Sequence, residues 1–181
     1  MGPSISGNKP SSSEILSSVE LNRLEEVKLL LEDGANPEQR FLRTFGQHYL
    51  SERAILNRND EMANLLLKTR NPAPEETLGI IRAAVRTQNY EWIERYGESV
   101  PLDIMINLTI KYASRLIFSR LDQIELKNLP EKAQISKIQE WYRKARDYKQ
   151  VESISMIYHQ TQIPLTMATF KEVVKSKTGY D

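Results

Sequence analysis

Residues 22–37 read Asn-Arg-Leu-Glu-Glu-Val-Lys-Leu-Leu-Leu-Glu-Asp-Gly-Ala-Asn-Pro, and a damaged echo, Asn-Arg-Asn-Asp-Glu-Met-Ala-Asn-Leu-Leu-Leu-Lys-Thr-Arg-Asn-Pro, starts 35 residues later at Asn57. Self-similarity at such a period is the mark of stacked helical hairpins, each of which needs its neighbours to cover its apolar face. A chain built this way presents an extended surface. It points to a binding scaffold and away from a deep catalytic pocket.

The local pattern supports that reading. Val27, Leu30 and Leu31, widened by Leu24, form a stripe at helical spacing over 24–32. Gly34 stands where a left-handed residue ends a helix, and Pro37 forbids continuation. Ahead of it, Ile15, Leu16 and Val19 mark a first helix capped by Ser12 or Ser13. Further pairs are predicted near 48–56 with 59–69, 75–86 with 89–97, an irregular pair after Pro101, and 132–146 with 148–160. A short helix at about 166–175 closes the series. Their expected apolar stripes include Ile104 and Leu116, then Val151, Ile154 and Tyr158. Strand signals are almost absent, so the expected class is all-α: stacked helical hairpins, ankyrin-like or an irregular α-solenoid. Residues 1–13 and 176–181 read as tails around a single helical domain over 14–175, the first of them rich in Ser, Gly and Pro.

Leu24-Glu-Glu-Val-Lys-Leu-Leu-Leu-Glu-Asp-Gly-Ala-Asn-Pro37 resembles the second helix and exit turn of an ankyrin repeat. Val27, Leu29, Leu30, Leu31, Gly34, Ala35 and Asn36 sit in the places that pattern requires. The echo keeps Glu61, Asn71 and Pro72 but has Thr69-Arg70 for Gly-Ala, and its leucines are slipped by one position. The Thr-Pro-Leu-His opening of the family is absent from the sequence. The resemblance covers about residues 14–72. It implies a divergent ankyrin-like stack whose fingers and first helices line a protein-binding surface.

Composition removes several other functions. The 181 residues contain no cysteine and two histidines, so thiolate chemistry is excluded and acid–base groups for neutral pH are scarce. Formal net charge is +1, with 11 basic and 12 acidic residues before Tyr90 and 14 and 12 from there on, which gives no bulk attraction to nucleic acid. No apolar run is long enough for a bilayer, and the expected location is the cytoplasm. Lack of cysteine and modest size would also suit a translocated effector. No nucleotide, phosphate or hydrolase motif is present, so no cofactor is implied.

The candidate binding residues lie in the long connector 39–49: Arg40, Phe41, Arg43, Phe45, His48 and Tyr49. Aromatic and arginine side chains are enriched at interface hot spots. The alternative is that Phe41 and Phe45 fold back as a plug. His48 and Glu52 are four apart and would share a helix face, the minimum for a metal pair or the seed of a small helical enzyme; with no further ligand nearby the plainer reading is a surface or interface histidine. His159 is read as a packing or capping residue. The segment 137–149 interleaves Lys137, Arg143, Lys144 and Lys149 with Trp141 and Tyr142, a nucleic-acid-binding mix. Trp141 and Ala145 share one face, though, and are more simply core. Adjacent carboxylates such as Glu75 and Glu76 are read as solvated, helix-start charges.

Overall fold

The computed structural model describes residues 9–43, 46–68 and 70–178. Among them are eleven α-helices and one two-stranded antiparallel sheet. The chain divides into two compact units, Met1–Thr87 and Gln88–Asp181, the boundary falling in the turn that was expected to join the third hairpin.

The first unit holds α1 (Ser12–Glu20), α2 (Leu24–Glu32), β1 (Arg40–Arg43), β2 (Gly46–Tyr49), α3 (Leu50–Leu56), α4 (Asp60–Leu67) and α5 (Pro74–Thr87). The α1 cap is Ser11, not Ser12 or Ser13: its N–H donates to the Glu14 carboxylate at 2.7 Å, the return half of a capping box. Helix α3 is central and packs on α5, α4 and α1. Leu50, Ala54 and Ile55 of α3, Met62, Ala63 and Leu66 of α4, and Ile80, Ile81 and Ala84 of α5 are fully buried. Helix α2 is covered far less. Of its apolar residues only Val27 is buried, while Leu30 and Leu31 are half-buried and Leu29 is exposed.

The second unit holds α6 (Tyr90–Tyr96), a 3-10 turn (Gly97–Ser99), α7 (Leu102–Lys111), α8 (Arg115–Leu126), α9 (Glu131–Asp147), α10 (Val151–Thr161) and α11 (Met167–Thr178). Helix α7 packs on α8 and α9, and α9 on α10 and α11. Phe118 and Trp141 meet edge to face at 5.3 Å in the core. Gln139 fastens the approach to α11 with both ends of its amide: Nε2 donates to the Pro164 carbonyl at 3.0 Å, and Oε1 accepts from the Thr166 N–H at 2.9 Å. The Tyr142 hydroxyl donates to the Ile163 carbonyl at 2.6 Å, and burial pushes that phenol up to about 12. The expected stripes are partly displaced: Ile104, Leu116, Val151 and Tyr158 are exposed, while Ile106 and Phe118 take the core positions.

One turn geometry recurs in both units. Asn22, Arg58, Ala113 and Lys149 all have a left-handed φ between 50° and 57°. At each, the residue's N–H bonds three residues back and the next N–H bonds five back, as in Arg58 N to Ile55 O (2.9 Å) and Asn59 N to Ala54 O (3.0 Å). This is the Schellman closure of a helix, here leading straight into the next helix. Gly34 ends α2 in the same way, with φ 90°. Asn22 and Arg58 lie 36 residues apart in the first unit, and Ala113 and Lys149 the same distance apart in the second, where Gln88 and Gln162 are also left-handed but stand off that spacing. That corrects the 35-residue alignment and removes the apparent slip of the leucine triplet, because Leu29–Leu31 and Leu65–Leu67 are also 36 apart.

Successive turns are tied together. Asn57 Nδ2 lies 3.4 Å from the Val19 carbonyl and Asn59 Nδ2 3.3 Å from Asn22 Oδ1, joining turn to turn in the first unit. In the second, Gln150 Nε2 donates to the Lys111 carbonyl at 3.3 Å and the Ser153 hydroxyl to that of Ile110. The Val19 and Ile110 carbonyls thereby accept a second bond beside the one that closes their helix, and Lys111 gains a partner at the helix end. Among the described residues no helix is long and apolar enough to cross a membrane.

Candidate functional site

The connector is a β-hairpin. Asn36 Oδ1 accepts from the Glu38 N–H at 3.0 Å, turning the chain after Pro37, and Gln39 Nε2 donates back to the Ser12 carbonyl at 2.7 Å. Strands β1 and β2 then pair Arg40 with Tyr49, Phe41 with His48, Leu42 with Gln47 and Arg43 with Gly46. Gly46 has φ 118°, which only glycine adopts readily. Opposed residues of an antiparallel pair point to the same face, so the hairpin has two distinct sides.

The side bearing Phe41 and His48 is the root. Phe41 is buried, and its ring lies 5.9 Å from that of His48. His48 Nδ1 is 3.0 Å from Glu52 Oε1, and Arg82 Nε of α5 is 3.1 Å from the same oxygen. His48 and Glu52 therefore do not share a helix face: the histidine is the penultimate strand residue, and the carboxylate sits in the following helix. Glu52 is almost fully buried, and its Oε2 has no hydrogen-bond partner among the described residues. It rests against the α5 backbone at Gly79, where an added Cβ would come within 2.8 Å of it. Glycine at 79 is what lets this carboxylate reach inward.

On the opposite side, Tyr49 is buried with Arg40 stacked over its ring at 5.1 Å, while Leu42 is 80% exposed next to Gln47. Of the six expected binding residues, Phe41 and Tyr49 are thus buried, His48 is largely engaged by Glu52, and Arg40 remains exposed. Phe45 and the Arg43 side chain lie outside the described residues. Leu42 was missed. The signal for it was present, since the alternation of Arg40-Phe41-Leu42-Arg43 before a glycine turn puts Phe41 and Leu42 on opposite faces.

A second polar cluster fixes the hairpin's flank. The Arg70 guanidinium grips Glu76 through both nitrogens, at 2.5 and 2.7 Å, and Nη2 also donates to the Pro37 carbonyl at 3.3 Å. The Ser51 hydroxyl donates to Glu76 Oε1 at 2.5 Å. Glu76 is buried, which corrects its reading as a solvated charge. Arg70 occupies the position equivalent to Gly34, so the loss of glycine in the second copy coincides with a gained cross-link.

The basic helix α9 is differently disposed. Trp141, Tyr142 and Ala145 are buried, as the core reading expects for Trp141 and Ala145. Lys137 lies near Glu125 and Glu140, Lys144 near Glu140, and Arg143 pairs with Glu172 at 2.7 Å. That pairing raises the guanidinium and holds the Glu172 carboxyl below its ordinary value. His159 is exposed, its ring 6.1 Å from that of Tyr158, and it borders an open hollow with Arg115 and Leu116. No family model matches this chain, and no curated protein or solved structure matches it.

Proposed function

We propose that this chain is a protein-binding scaffold of helical hairpins, ankyrin-like over about residues 14–72, which presents the outer face of its β-hairpin to a protein partner. The observation that carries the reading is the exposure of Leu42 on a rooted strand pair. A leucine so uncovered on a short two-stranded hairpin costs solvation and does little for the fold, whereas a partner surface would bury it at a gain of about 1.5–3 kcal/mol. Arg40, held over Tyr49, supplies a pre-ordered cation beside it. The ankyrin resemblance points the same way, because fingers of that kind line the binding surface. The nucleic-acid alternative loses support from the carboxylates beside Lys137, Arg143 and Lys144 and from the burial of Trp141 and Tyr142.

The test is affinity capture from lysate with the parent chain and a Leu42→Glu/Arg40→Ala variant, followed by mass spectrometry of the bound proteins. Both positions are exposed, so the variant should melt within a few degrees of the parent and lose one or more specific partners. An identical bound set would sink the assignment of this face.

A further inference from the structure

We propose that a second copy of this chain docks head to tail, its α1–α2 hairpin seating on the apolar face of α10 and α11. The receiving face is continuous. Val151 and Ser155, and Ile154 and Tyr158, are each one turn apart along α10, and Val151 and Ile154 line two adjoining hollows of about 400 and 470 Å³. The first is bounded by Ala145 of α9 and Val173 of α11, the second by Tyr142 and Leu165. Val151 is 56% and Tyr158 45% exposed, and Met167 at the start of α11 is 70% exposed. Val151, Ile154 and Tyr158 on one face, around hollows walled in part by apolar groups, form an interaction patch and not scattered surface residues.

Charge selects the occupant. Between Glu131 and Thr178 the sequence carries nine basic and five acidic side chains. On the rim of the first hollow Arg146 and Asp147 pair with each other at 2.7 Å, while Lys149 on the same rim and Lys171 of α11 are exposed and have no ion pair among the described residues. The α1–α2 hairpin has the opposite balance, six acidic and two basic side chains between Ser12 and Asn36. On it Leu29 is 61% exposed with Glu32 and Asp33 one helical turn beyond it, while Glu25, one turn before it, is paired with Lys28 at 2.6 Å. Leu21, at the C-cap of α1, is also exposed. An acid-rimmed apolar ridge thus faces a base-rimmed apolar trough within one sequence. Charges of opposite sign around apolar centres steer association and set its register. Because ridge and trough are different surfaces, the contact is heterologous and propagates into a ring or a filament.

Sedimentation velocity of the full chain from micromolar to millimolar concentration, at low and high salt, tests this. Species larger than a dimer should grow with concentration and shrink with salt. Leu29→Glu and Tyr158→Glu change exposed positions, so each should keep the parent's circular dichroism and remain monomeric alone. Mixed one to one, they retain a single intact ridge and a single intact trough between them, and should form a dimer and nothing larger. A parent that stays monomeric throughout overturns the proposal and leaves the trough to a foreign partner. Variants that associate like the parent, or a mixture that stays monomeric, overturn it as well.

Discussion

Asp122 of α8 is fully buried; Gln123 Nε2 donates to its Oδ2 at 3.2 Å, and Oδ1 has no hydrogen-bond partner among the described residues. Burial pushes this carboxyl above its ordinary value, against smaller lowering contributions from hydrogen bonds around Gln123. The consequence for stability has a definite sign. A carboxyl that holds its proton more tightly when folded favours the native state at low pH and loses that advantage as pH rises through its folded value. Asp122→Asn cannot titrate, so its stability relative to the parent should climb from the ordinary aspartate range upward and then level off. At neutral pH the variant should be the more stable by on the order of 1 kcal/mol, since it removes a poorly solvated charge. Urea denaturation at a series of pH values checks it, and a difference that is flat or falls with pH would contradict the account. Among the described residues the other two buried carboxylates, Glu52 and Glu76, are partnered by arginine, and there the same substitution should be costly.

At the scale of elements, the recurring device is the left-handed turn that joins the helices of a pair. Asn22 suits it, because a short polar side chain tolerates that conformation. Ala113 does not, and with φ 50° its Cβ crowds the following carbonyl. Ala113→Gly should relieve that strain at some cost in unfolded-state entropy, for a net gain of roughly 0.5–1 kcal/mol. A rise in denaturation midpoint at unchanged slope is the expected result; a fall would show that the turn is unstrained. These turns also explain which parts of the fold were legible. Helix positions could be read because apolar spacing and proline or glycine stops mark them, and the all-α class followed. The 36-residue spacing within each of the two turn pairs could not, because Asn22, Arg58, Ala113 and Lys149 share a backbone geometry and no side-chain type. The hairpin was hidden for another reason. Its strands are four residues each, and long-range packing of Phe41 and Tyr49 stabilises them more than local propensity does.

At the scale of the whole chain, the near-zero net charge conceals an acidic opening and a basic close, and polar groups do much of the joining between hairpins. In the first unit that role centres on Arg70, which reaches Pro37 after α2, Leu66 of α4 and Glu76 of α5. None of these bonds follows from an apolar pattern, which is why Thr69-Arg70 reads from sequence as a lost Gly-Ala and Glu76 as a surface charge. Truncating Arg70 to alanine would strand Glu76, whose side chain is only 1% exposed. Breaking a buried pair in this way costs roughly 3–5 kcal/mol. Replacing both members, as Arg70→Met with Glu76→Gln, leaves the amide able to accept from Ser51 and removes the stranded charge. The double variant should therefore recover most of the loss seen for Arg70→Ala. Chemical denaturation of the two variants and the parent decides the matter: a single substitution costing under about 1 kcal/mol would mean that solvent reaches Glu76 and that the hairpins are held by their apolar faces alone.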